Sequence, residues 1–125
     1  MKYIKPDDFH EPAGHYSPAV VSNGFVFVSG QVAVDPETGE AVGGRIEDQT
    51  EICIRNLEKV LEAAGSSLDR VVKMTIYVSD ESYWPAVNET YKKIFGDHKP
   101  ARAIIPVGSF REPFLIEVEA IAALD

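Results

Sequence analysis

Residues 19–28 read Ala19-Val20-Val21-Ser22-Asn23-Gly24-Phe25-Val26-Phe27-Val28, two β-rich runs joined by an Asn-Gly pair. Both turn residues tolerate the positive φ of a type I′ turn, so the stretch predicts a hairpin. Just beyond it, Asp35-Pro36-Glu37-Thr38-Gly39-Glu40 reads as a turn or short loop. No internal repeat, low-complexity segment or linker interrupts the rest of the chain.

The next signal is helical, from about Asp48 to Ala64. Asp48 and Glu51 have capping-box spacing, and Gly65 sits where a helix end favours a left-handed residue. At about 100° per residue, Glu51, Arg55, Glu58, Lys59 and Glu62 collect on one arc, opposite Cys53, Leu57, Val60 and Ala64. Cys53 lies at the centre of that apolar stripe and reads as a small buried hydrophobe. Val71 to Val78 then alternates as a strand, with Val72, Met74, Ile76 and Val78 on one face and Val71, Lys73, Thr75 and Tyr77 on the other. Asp80 or Ser82 caps a second helix, with Pro85 tolerated in its first turn and Gly96 ending it. Tyr83, Trp84, Val87, Tyr91, Ile94 and Phe95 form its apolar stripe, and Asn88 lies at the stripe's edge. Two last strands are predicted near Ala103–Val107 and Leu115–Ala122.

The order β-β-α-β-α-β-β is that of an α+β protein: a single antiparallel or mixed sheet with two helices packed on one face. The uncovered face would carry Val71, Tyr77, Leu115 and Ile121, too apolar to remain wet. A further copy of the chain is expected to cover it, giving a homo-oligomer.

The bulk composition narrows the function. With 125 residues, one domain spanning 1–125 is expected. No apolar run approaches the roughly 20 residues of a membrane span. The opening MKYIKPDDFHEP lacks a signal-peptide core, and the one cysteine fits a reducing compartment, so a cytoplasmic address is expected. The net charge of −8 argues against non-specific nucleic-acid binding, which needs cations to displace phosphate counterions. Lys92, Lys93, Lys99, Arg102 and Arg111 nevertheless fall close together, which leaves room for a local basic pocket. The alternative is a scatter of solvated charges.

Phosphate loops, nucleophile elbows, paired-Cys zinc patterns and His-Glu-x-x-His helices are all missing from the sequence. His10, His15 and His98 have no helical i, i+4 partners, so neither a metal site nor a Cys–His pair is expected. What remains is Ala13-Gly14-His15-Tyr16-Ser17-Pro18 before the hairpin, Ser29-Gly30-Gln31 at its end, Pro100-Ala101-Arg102, and Glu117-Val118-Glu119-Ala120-Ile121-Ala122. Gly30 permits close backbone approach of a ligand, or marks a bulge. An Arg fork suits a planar carboxylate, and a Glu off a nearby strand can position a water or move a proton beside it. Read alone, an arginine such as Arg102 is more often a surface ion-pair member than a substrate clamp, and a glutamate such as Glu119 is usually the wet side of a strand.

Taken in order, AGHYSPAV, NGFVFVSGQV with DPETGE after it, NLEKVLEAAGSSLDRVVKMTIYVSD, VNETYKKIFGDHKPAR and IEVEAIA resemble the reactive intermediate deaminase (Rid) family, in particular its RidA branch. The resemblance covers nearly the whole chain. It implies a chorismate-mutase-like fold assembled as a homotrimer, with the sheets turned inward and active sites between protomers. It also implies cofactor-independent hydrolysis of 2-iminobutanoate and 2-iminopropanoate, with their enamine tautomers, to 2-oxo acids and ammonia. By the same resemblance Arg102 pairs with the substrate carboxylate and Glu119 places the hydrolytic water. Tyr16 lies near the substrate, Ser29 and Gly30 line the strand end, and Asn88 supports the cleft. Ile104 stands where many members carry a small polar residue such as Cys or Thr; contact through its backbone N–H would lose nothing, whereas a side-chain role there would change substrate range or rate. His15 replaces a common Pro, and residues 108–114 depart from the usual loop. Because of Ile104, a non-catalytic small-carboxylate-binding or regulatory module is the alternative reading.

Overall fold

The Asn-Gly turn forms as its residues dictate. In the computed structural model, which describes residues 1–124, Asn23 has φ 53° and Gly24 φ 81°, joining β2 (Ala19–Ser22) to β3 (Phe25–Gln31). Around this hairpin lie β1 (Lys2–Ile4), α1 (Ile46–Ala63), β4 (Val71–Val78), α2 (Trp84–Phe95), β5 (Ala101–Pro106) and β6 (Ile116–Ala123). They build one mixed sheet in the order β1-β2-β3-β6-β4-β5. All neighbours pair antiparallel except β4 and β5, which run parallel and are connected through α2.

One side of the sheet holds the core. Val26, Val28, Met74, Ile76, Val78, Ile116, Val118 and Ala122 are buried with Ile54, Leu57, Val60 and Leu61 of α1 and Val87, Tyr91 and Phe95 of α2. Burying one such side chain contributes about 1.5–3 kcal/mol, so the two apolar helix stripes are what hold both helices to this side.

Several expectations are corrected. The element order begins with an extra strand, β1, whose three residues pair with β2 and are too short to show a period. Helix α1 starts at Ile46, two residues before the expected Asp48, because Ile46 itself is buried. Asp48 therefore sits in the first turn, its carboxylate accepting from the Arg45 N–H at 3.2 Å, in place of the expected pairing with Glu51. In α2, Trp84 is expected on the apolar stripe yet remains 45% exposed.

The two faces of β4 also differ from simple alternation. A register shift between Val71 and Lys73 against β6 turns Val71 into the core and leaves Val72 outside, the reverse of the expectation for both. Leu115, just before β6, is half-buried and touches the core cluster. The helix-free face carries Tyr77 and Ile121 as expected. Joining them are Tyr3, Phe25, Phe27 and Ile105, all exposed, together with Lys73, Thr75, Glu117 and Glu119.

Candidate active site

Arg102 projects from β5, a strand at the edge of the sheet. Its register partner on β4 is Met74, a core residue, so Arg102 points to the helix-bearing side. There its guanidinium carbon lies 4.8 Å from the ring centre of Tyr91 and 5.7 Å from that of Trp84. Among the described residues the guanidinium has no carboxylate partner. Stacking on two rings holds its plane while leaving its N–H fork for a ligand, and such contacts contribute about 0.5–2 kcal/mol. A cavity of about 560 Å³ opens beside it, lined by Asn88, Tyr91, Lys92, His98 and Lys99 among others. The surroundings are basic although the chain as a whole carries −8. Asn88 and Arg102 are thus brought together in a concave, positively charged site suited to a small carboxylate.

Tyr91 forms the floor of that site. Burial pushes its phenol up to about 12, and its hydroxyl has no hydrogen-bond partner among the described residues. Ile104 shares the face of Arg102, opposite the buried Ile76, and packs against the core. Its side chain contributes shape to the strand and no polar group to the cavity.

Tyr16 and Gly30 line a different hollow, of about 380 Å³, with Phe9, His10, Thr38 and Arg111. Ser29 ties the two segments together: its hydroxyl donates to the Ser17 carbonyl at 2.6 Å and its N–H to the Pro18 carbonyl at 2.9 Å. Gly30 does sit at an irregular point of β3, where the register shifts between Val28 and Gln31. The group that approaches it closely is the Glu117 carboxylate, whose Oε2 would clash with a Cβ at position 30.

Glu119 lies on the other side of the sheet from Arg102. Its register partner is Thr75, on the helix-free face, and it borders a small hollow of about 130 Å³ with Lys73, Thr75 and Ile121. The Tyr77 hydroxyl donates to Glu119 Oε1. Half-burial, and after it the neighbouring Glu119, push the Glu117 carboxyl above the usual carboxylate range. A single chain therefore gathers Arg102 with Asn88 and Tyr16 with Gly30, and it holds Arg102 and Glu119 apart on opposite faces.

Sequence reading does not single out Tyr77, Tyr91 or Glu117 as site residues. The i, i+2 spacing of Glu117 and Glu119 is the available signal, since it places both on one strand face. Elsewhere, burial raises the Cys53 thiol far above its ordinary range and leaves it inert. Among the described residues no group of three metal-ligating side chains converges.

Comparison with known proteins agrees with this architecture. A family model described as endoribonuclease L-PSP matches residues 8–124. A RutC family protein of Pyrococcus horikoshii is 45% identical over 90% of this chain and 89% of its own length. The crystal structure of a putative endoribonuclease from Thermotoga maritima, 44% identical, covers 100% of this chain and 98% of that one with a TM-score of 0.92. E. coli TdcF, solved with bound serine, is 32% identical and covers 98% of each chain with a TM-score of 0.89. One open mixed sheet with two helices on a single face places the molecule among the chorismate-mutase-like Rid structures. The chain belongs to the Rid/YjgF/L-PSP family.

Proposed function

We propose that the protein hydrolyses small 2-imino acids such as 2-iminobutanoate and 2-iminopropanoate to 2-oxo acids, acting as a homotrimer without a cofactor. The observation that carries this reading is Arg102: free of any carboxylate among the described residues, stacked on Tyr91 and Trp84, and opening onto a basic cavity with Asn88. The family includes imine deaminases, and TdcF binds an amino acid, which carries the carboxylate such an arginine would grip.

In this reading Arg102 holds the substrate carboxylate and Glu119 of a neighbouring copy orients water. The protonated imine, R–C(=NH2+)–COO−, is already electrophilic, so a positioned water suffices. Water adds to the imine carbon, the C–N bond breaks, and the products are R–CO–COO− and NH4+. Because Arg102 and Glu119 face opposite sides of one sheet, the site is complete only where the bare face and edge of adjacent copies meet.

The test generates 2-iminobutanoate in situ with a threonine dehydratase and follows 2-oxobutanoate release. Hydrogen bonds to a charged group contribute about 1.5–3 kcal/mol, so Arg102→Ala should lower kcat/KM by about 10- to 100-fold. No acceleration by the unmodified protein, or an unimpaired Arg102→Ala, overturns the reading. The serine bound to TdcF also suits a second reading, a carboxylate-binding module without turnover. Calorimetry showing oxo-acid binding in the absence of imine hydrolysis would favour it. RNA is not the substrate in either reading, since a −8 chain opposes the counterion release that drives RNA binding.

A further inference from the structure

On the helix-free face, Tyr77 stands opposite Glu117, and the adjacent pair is Thr75 opposite Glu119. Tyr77 and Glu119 are thus diagonal neighbours across two antiparallel strands, close enough for a long side chain to bridge. The Tyr77 hydroxyl does so, donating to Glu119 Oε1. The other groups facing this pair are Lys73 and Thr75 from β4, Glu117 and Ile121 from β6, and Ala103 and Ile105 from β5. Of these, Lys73 and Glu117 carry titratable groups, and among the described residues neither forms an ion pair with Glu119.

A glutamate on an otherwise open strand face has several rotatable bonds and no reason to keep one orientation. A phenol donor removes much of that freedom. It occupies one carboxylate oxygen and leaves Oε2 as the acceptor that a water can meet. We propose that Tyr77 is a positioning residue that fixes the Glu119 carboxylate through its hydroxyl, so that the other oxygen is aimed at the hydrolytic water. Its catalytic meaning rests on the deaminase reading above. The bond to Glu119, and after it partial burial, hold the Tyr77 phenol above its ordinary range, so it keeps its proton and its donor role at neutral pH.

The experiment uses the full chain and Tyr77→Phe, which keeps the ring and deletes only the donor. With 2-iminobutanoate as substrate, loss of one orienting hydrogen bond should lower kcat about tenfold while KM is unchanged. A purely structural role would lower stability or raise KM instead, so the split of kcat from KM separates the two. An unchanged kcat overturns the proposal.

A second measurement is independent of turnover. With 13Cζ-labelled tyrosine, the Tyr77 resonance should titrate above the ordinary value of about 10 and return towards it in Glu119→Gln. An ordinary midpoint for Tyr77 in the unmodified protein overturns the proposal. If the unmodified protein shows no turnover the deaminase reading falls, and the titration alone then decides whether Tyr77 holds Glu119.

Discussion

At the scale of single residues, Gly30 is set by a neighbour rather than by its own backbone. Its φ lies outside the left-handed region, so nothing in its conformation demands glycine. What demands it is the Glu117 carboxylate, which fills the place a methyl would take. Gly30→Ala should force Glu117 to swing away and cost about 1–2 kcal/mol, within the range for overpacking. Urea denaturation measures this, and a double-mutant cycle isolates it: in a Glu117→Ala background the same change should cost far less. A glycine kept open for ligand alone would show no such coupling.

At the scale of elements, α2 does two things for the site. It carries the parallel crossover from β4 to β5, which puts Arg102 at a sheet edge, and its Trp84 and Tyr91 supply the rings that hold the guanidinium. Only the ring of Tyr91 serves that second purpose. Its hydroxyl is buried and unpartnered among the described residues, so Tyr91→Phe should stabilise the fold by about 1 kcal/mol and leave KM for the imino acid unchanged. Thermal unfolding and steady-state kinetics check the two halves. The elements themselves are largely legible in the sequence, because a positive-φ turn pair, two amphipathic stripes and an alternating final strand are local signals. Three features are not legible, because each depends on pairing or packing. Strand β1 exists through β2, the reversed faces of Val71 and Val72 come from a register shift, and the start of α1 follows the burial of Ile46. The site divides in the same way. Residue types suggest Arg102 and Glu119, and the family motifs give them roles. The contacts of Tyr77 with Glu119 and of Glu117 with Gly30 arise only once β4 and β3 lie beside β6.

At the scale of the whole molecule, the helix-free face presents Tyr3, Phe25 and Phe27 at 71%, 40% and 44% exposure. Covering each fully is worth about 2 kcal/mol, the kind of driving force a ring of identical copies would use. In that ring the opposed directions of Arg102 and Glu119 have a genetic consequence. Under the proposed function each cleft would draw its arginine from one copy and its glutamate from the next, so two defective chains would rescue one another. Arg102→Ala and Glu119→Gln should each be strongly impaired alone. Unfolded together in equal amounts and refolded, they should regain activity in about a quarter of the clefts, those that by chance join an intact arginine to an intact glutamate. Mixing the folded proteins without subunit exchange should restore nothing.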